Sequence, residues 1–226
     1  MQKRLGVFLI GCLILGLAAT AEAGQKSRQI LVLGAAGFIN GPAMGAATGA
    51  EVITRLDGQK LQEIALIVLA NTAFASLPDA VAQGLEEYVA GGGALWLTGG
   101  SQAFGSGGYQ PVASLLPFTL RSDKDWRSVP FRNPVAVQAG HPTLQGVTFI
   151  SVGALNDLNP KPGAVEILQY SGGGSFPYPL ITETSVGTGR VIGVAVDLND
   201  FSGMRDRDRF VENTLKYLLA ASRRGL

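Results

Sequence analysis

Two glycine-rich turns carry the residues best suited to chemistry. Gly99-Gly100-Ser101-Gln102-Ala103 follows the apolar run Ala94–Thr98. Small-x-Ser-x-small after a strand is the spacing of a nucleophile elbow, in which a sharp turn exposes the serine hydroxyl. Such a serine needs a base, and His141 is the only histidine in the chain. It stands in Gly140-His141-Pro142, where a turn residue or a hydrogen-bonded core histidine is the simpler reading. Asp197 or Asp200 would have to orient it, and no spacing supports either. For Ser101 the simpler reading is a loop or helix-capping residue. The second turn is Gly34-Ala35-Ala36-Gly37-Phe38-Ile39, between an apolar run at 30–33 and a helix expected from Pro42. Asp57 follows Gly37 by 20 residues. Backbone amides close to a pyrophosphate, then a carboxylate for the ribose, are the layout of a dinucleotide site. A tight turn between strand and helix accounts for the same glycines.

Other chemistries are excluded by what the chain lacks. Its one cysteine, Cys12, lies in an N-terminal apolar stretch. Lys3 and Arg4, an apolar core from Leu5 to Ala19, and Ala21-Glu22-Ala23 are the three parts of a cleavable signal peptide. Residues 1–23 are therefore expected to be removed and the protein to be periplasmic or secreted. A core of about 15 residues is short of the roughly 20 that span a bilayer. Leu9-Ile10-Gly11-Cys12 also resembles a lipobox, but the apolar core ahead of that cut would be very short. Residues 24–226 then contain no cysteine, which excludes disulfides, thiolate catalysis and zinc sites of the Cys/His type. No metal or cofactor is expected.

The charge balance argues against nucleic acid as a partner. Lysine and arginine total 18 against 17 acidic residues. Phosphate binding needs clustered cations, and no basic block occurs before Arg223-Arg224. Asp206 and Asp208 interleave with Arg205, Arg207 and Arg209, a pattern that reads as the solvated start of a helix. Trp96 and Trp126 read as core and loop packing. No second apolar run approaches membrane length.

The elements expected to position these residues alternate between strands and helices. Apolar runs at 30–33, 51–56, Ile64–Ala70 and Ala94–Thr98 are strand candidates, the third apolar throughout like a strand buried on both faces. A helix opens at Leu77-Pro78-Asp79, places Val81, Leu85, Tyr88 and Val89 on one face, and ends at Gly91-Gly92-Gly93. This rhythm predicts a parallel sheet with helices on both faces. In the second half, 112–116 reads as a short helix and 121–134 as a polar loop. Strand candidates follow at 135–137, 165–168, 180–184 and 190–196. Residues 171–179 read as a glycine- and proline-rich loop and 187–189 as a hairpin turn. An amphipathic helix over 206–221 turns Phe210, Leu215 and Leu218 inward. In such a sheet ligands bind beyond the carboxyl ends of the strands. Four segments qualify: 34–40, 71–72, 99–104 and 197–200.

Two resemblances bear on function. Gly34-Ala35-Ala36-Gly37-Phe38-Ile39 is similar to a turn of the extended short-chain dehydrogenases, which implies a nucleotide-binding Rossmann-like protein. Here Asn40 occupies the third glycine position, and no Tyr is followed four residues later by Lys, so the catalytic pair of that family is missing. The stretch YVAGGGALWLTGGSQAFGSGGYQPVASLLPFTL, residues 88–120, resembles the class I glutamine amidotransferase-like domains, particularly a non-catalytic branch. His141-Pro142-Thr143-Leu144-Gln145-Gly146 is similar to a step of that branch and of trehalose-utilisation-like domains. Gly187-Thr188-Gly189-Arg190-Val191 resembles one of their strands. Together these cover about residues 50–220.

That resemblance implies an α/β fold, a flavodoxin-like three-layer sandwich with a mostly parallel sheet, as one domain over 24–226. Active members carry a nucleophilic cysteine on the elbow after the strand at 94–98. Here that elbow is Gly99-Gly100-Ser101, and glutamine hydrolysis through an acyl intermediate needs the thiol. The expectation is thus an exported, non-catalytic ligand-binding or scaffold module of the cell envelope. Its ligand residues would be Gly34, Gly37, Asn71, Gly99, Gly100, Ser101 and Gln102, and its partner a small molecule or an envelope protein. The rivals are a serine hydrolase using Ser101 and His141, and the nucleotide-binding reading.

Overall fold

Seven consecutive apolar residues, Ile64–Ala70 (β3), are buried at every position, as a central strand covered on both faces must be. The computed structural model describes residues 28–149, 151–171, 177–200 and 204–225. The expected signal peptide lies outside them. On one side of β3 lie β1 (Gln29–Gly34) and β2 (Glu51–Ile53), and on the other β4 (Ala94–Thr98) and then β12 (Gly189–Val194), all mutually parallel. Beyond β12 the sheet turns antiparallel through β11 (Tyr178–Val186), β10 (Val165–Tyr170) and β7 (Val135–Ala136). The order is β2-β1-β3-β4-β12-β11-β10-β7. The fold is thus α/β, with a large and mostly parallel eight-stranded sheet.

Among the described residues there are three α-helices, α1 (Gly41–Thr48), α2 (Asp79–Ala90) and α3 (Arg207–Ala221). Helix α2 buries Val81, Leu85, Tyr88 and Val89, the face set by its spacing, against Leu69, Leu95 and Leu97. Phe210, Leu215 and Leu218 of α3 pack with Trp96, Val68 and Met44 of α1 in a second core cluster. The Trp96 ring is held edge-on between Phe38 and Phe210, with centroids 5.7 and 6.2 Å away. Gly187 and Thr188 make the two-residue turn from β11 to β12, where Gly187 has a φ of +59°. No helix among the described residues is long and apolar enough to cross a membrane.

The second half departs from expectation at several places. Residues 126–132, expected in a loop, form strand β6 (Trp126–Arg132), antiparallel to β8 (Val152–Asn156). Pro130 hides the strand in the sequence; a register shift between Ser128 and Arg132 accommodates it. Two further short strands, β5 (Phe118–Leu120) and β9 (Leu158–Pro160), pair with each other. The helix expected over 112–116 is a 3₁₀ turn at Gln110–Val112. Strand β2 stops at Ile53 rather than running to residue 56.

Candidate functional site

Because β1, β3, β4 and β12 run parallel, their carboxyl ends deliver segments 34–40, 71–72, 99–104 and 197–200 to one edge of the sheet. Side-chain amides and carboxylates tie these segments together. Asn71, just past β3, takes a left-handed φ of +38°, a conformation that asparagine tolerates better than most residues. Its Nδ2 donates to Asp197 Oδ2 at 2.7 Å, and its Oδ1 accepts from the Gln102 amide at 2.8 Å. Asp197 Oδ1 accepts from the backbone and side-chain amides of Asn199, at 2.9 and 3.1 Å. Asn199 Nδ2 also donates to the Ala35 carbonyl, and its Oδ1 accepts from the Phe38 amide at 3.2 Å. One chain of bonds therefore runs from the turn after β1 to the turn after β4.

The other side of the β4 turn hangs on Asn156 and Asp125. Asn156 Oδ1 accepts from Gly100 N at 2.9 Å, while its Nδ2 donates to the Gly100 carbonyl and to Asp125 Oδ1. Asp125, only 1% exposed, also accepts from Gly105 N, Ser106 N and Ser106 Oγ at 2.6–2.9 Å. A buried carboxylate given this many donors is satisfied, and it holds the loop in one shape.

This geometry bears directly on the elbow. The strained residue after β4 is Gly100, with a φ of +134°, and Ser101 has no such conformation. A Cβ on Gly100 would stand 2.2 Å from Asn71 Cγ, so the amide of Asn71 already fills the space a nucleophile at that position would use. Gly99 is equally closed, by Asn156 Oδ1 at 2.5 Å. Residues 101–108 continue as turns with no helix behind them, whereas an elbow joins strand to helix. Ser101 and Gln102 are exposed on the rim.

His141 belongs to a different cluster. Its Nδ1 lies 2.8 Å from Thr143 Oγ1 and its Nε2 3.1 Å from Glu183 Oε2, and its ring meets Tyr217 edge-on. Thr143 N also lies against Nδ1, at 3.3 Å, which leaves Nε2 to face Glu183. Tyr217 and Arg190 complete the carboxylate's shell at 2.9 and 3.0 Å. Burial raises the Glu183 carboxyl, but hydrogen bonds from His141 and Tyr217 and the Arg190 charge outweigh it and leave it below its ordinary value. Burial, then the bond to Glu183, raises the Tyr217 phenol. Glu183 pairs with Ile192, itself opposite Trp96, two residues inside the end of β4, while Ser101 lies beyond that end. Both ring nitrogens of His141 are thus engaged by Thr143 and Glu183, and among the described residues no hydrogen bond joins His141 to Ser101.

The turn after β1 is likewise consumed by its own structure. Ala35 N donates to Ala70 O, Ala36 N to Gly34 O, Phe38 N to Asn199 and Ile39 N to Ala36 O. Few amides are left to face a pyrophosphate. Gly34, with a φ of +90°, is required by the approach of β3, since a Cβ would meet Ala70 O at 2.2 Å. Asp57 is exposed and paired with Arg55 at 2.7 Å, four residues past the end of β2. Beside this turn an open groove of about 480 Å³ is lined by Val32, Gly34, Gly37, Ile39, Val52 and Thr54. Its size falls in the range of small-molecule sites.

No protein-family model matches the sequence, and no curated protein does. Solved structures do match in fold. Two from Salmonella typhimurium, the cytoplasmic proteins STM3548 and STM1381, superpose with TM-scores of 0.66 at 14% and 18% identity. Each match covers 84% of this chain and 98% or 99% of the other. A ThuA-like protein from Bacteroides uniformis matches with a TM-score of 0.56 at 13% identity, over 92% of this chain and 97% of its own. These likenesses agree with a ThuA-like or amidotransferase-like fold. They also correct the expected localisation. The reading as periplasmic or secreted is withdrawn, because the two Salmonella structures are described as cytoplasmic proteins.

Three of the network's residues were not singled out from sequence: Asp125, Asn156 and Asn199. Asn199 lies within a strand-end segment, and Asx residues after strands are a usable signal. Asp125 and Asn156 reach the β4 turn from 20 or more residues away, so no local spacing marks them. Among the described residues no group of three His, Cys, Asp or Glu side chains could hold a metal ion.

Proposed function

We propose that this chain is a non-catalytic, class I glutamine amidotransferase-like domain, a flavodoxin-like three-layer sandwich that binds a small molecule at the carboxyl ends of its parallel strands. The observation that carries the reading is Gly100. The strained position after β4, where an elbow nucleophile would stand, bears no side chain, and Asn71 occupies the adjoining space. The binding surface is the groove beside Gly34 and Gly37, with Ser101 and Gln102 exposed at the neighbouring strand ends. Its walls are mostly aliphatic with few polar groups, which suits a compact ligand of mixed polarity. The amide network through Asn71, Asp197 and Asn199 keeps this rim rigid, so the site is pre-formed and binding needs little ordering.

Two measurements test this. Wild-type protein incubated with glutamine and a panel of esters and amides should give no turnover; hydrolysis abolished by Ser101→Ala would restore the hydrolase reading. A small-molecule panel screened by thermal shift should yield a stabilising ligand. Thr54→Arg, which fills the groove from an exposed position on its lining, should remove that shift while leaving the unliganded melting temperature within a few degrees. A shift that survives Thr54→Arg would place the ligand elsewhere.

A further inference from the structure

The large hydrophobic side chains that stand exposed among the described residues all belong to β6, β7 and its continuation, or β10. They are Phe131 (79%), Val135 (46%), Val137 (44%) and Val165 (47%). Phe131 is the last but one residue of β6, Val135 belongs to β7, Val137 follows it, and Val165 begins β10. Among the described residues strand β7 is the last of the eight-stranded sheet and pairs with β10 alone, toward which the Val137 and Gln138 amides also turn, both donating to Ile167 O. From residue 131 to residue 140 every position but Pro134 is exposed. An unpaired edge that is also apolar is a template for another strand, and proteins that keep one usually cover it.

We propose that this edge joins two copies of the chain by antiparallel pairing of β7 about a two-fold axis. The sequence of the edge suits itself as a partner. Antiparallel pairing centred on Ala136 sets Val135 of each copy opposite Val137 of the other, and carries each Phe131 toward the other copy's Val165. Charge follows the same symmetry. Arg132 stands at one end of the edge. Toward the other, Glu166 stands on β10 two residues before Leu168, the partner of Ala136, and next to Ile167, whose carbonyl accepts from Val137 N and Gln138 N. Reversing one copy against the other sets basic end against acidic end twice, as an isologous interface requires. On one side of Ala136, Pro134 has no amide to offer; on the other, Gln138 is already engaged by Ile167 O and His141 N, so the ladder is confined to a few residues. That length closes a dimer and discourages further strands from adding. This inference concerns the face opposite β2 and does not depend on the proposed binding groove.

The experiment is sedimentation equilibrium on the full chain up to about 100 µM, where even a modest interface is populated. The wild type should be a dimer. The variant Val135→Asp/Val137→Asp should weaken association by at least roughly tenfold, with unchanged circular dichroism. Phe131→Ser provides a second disruption outside β7. Arg132→Glu and Glu166→Arg should each weaken the dimer, and the double charge reversal should restore it. A wild type monomeric at the highest concentration overturns the proposal. So does a dimer indifferent to both apolar variants, or a charge reversal without rescue.

Discussion

Replacing Asn71 separates the two jobs this residue performs, bridging strand ends and holding a left-handed backbone. Its amide makes one bond to the buried Asp197 carboxylate at 2.7 Å and accepts another from Gln102 N at 2.8 Å. A hydrogen bond to a charged group contributes about 1.5–3 kcal/mol and a neutral one about 1 kcal/mol. Alanine also suits a φ of +38° less well than asparagine, adding up to about 1 kcal/mol. Asn71→Ala should therefore destabilise by about 4 kcal/mol, a large share of a typical domain's stability. Asn71→Gly loses the same bonds but none of the backbone compatibility, and should be about 1 kcal/mol more stable than Asn71→Ala. Urea unfolding of the three proteins, followed by circular dichroism, measures both differences. If Asn71→Gly is as stable as wild type, the bridge does not hold the strand ends. If it is less stable than Asn71→Ala, the backbone argument fails.

Removing Asp125 with Asp125→Ala strips acceptors from Gly105 N, Ser106 N and Asn156 Nδ2 together, and should cost at least about 3 kcal/mol. Hydrogen exchange should show the extra opening concentrated at residues 100–107, and a uniform increase across the sheet would contradict the clamp. Glu183 makes a prediction about acid. Its carboxyl lies below the ordinary value in the folded protein, so its stabilisation is complete above about pH 4.3, the unfolded value, and fades as pH falls through the lower folded one. Glu183→Gln should lower stability at pH 7 and narrow the gap to wild type below pH 4; parallel urea midpoints across that range would refute the linkage.

The parallel half of the fold was legible because burial on both faces leaves a continuous apolar run. Ile64–Ala70 and Ala94–Thr98 stand where their composition put them, and the helix at Asp79–Ala90 buries the four residues its spacing nominated. Around residues 112–160 the signal was weaker. Strand β6 contains a proline and is mostly exposed, and β5 and β9 have three residues each, too few for a period to register. Of the candidate site, the strand-end segments were identified because a parallel sheet sends its carboxyl ends to one edge. The chemistry within them was not, because it depends on which side chains meet across the sheet.

Gly99-Gly100-Ser101 shows the division most clearly. From sequence alone, the chain's one cysteine is Cys12, so no thiol nucleophile can stand on the elbow at residues 99–101, and that conclusion needs no coordinates. Sequence could not separate Ser101 as a nucleophile from Ser101 as a turn residue, since both readings have the same spacing. Only tertiary structure supplies the geometry that bears on the choice. The φ of Gly100, the Asn71 amide against it, and the distant engagement of His141 by Glu183 and Thr143 all arise from pairings between segments far apart in the chain. Residue types fix which reactions are chemically available; only the packing of remote segments fixes which groups can meet to perform them.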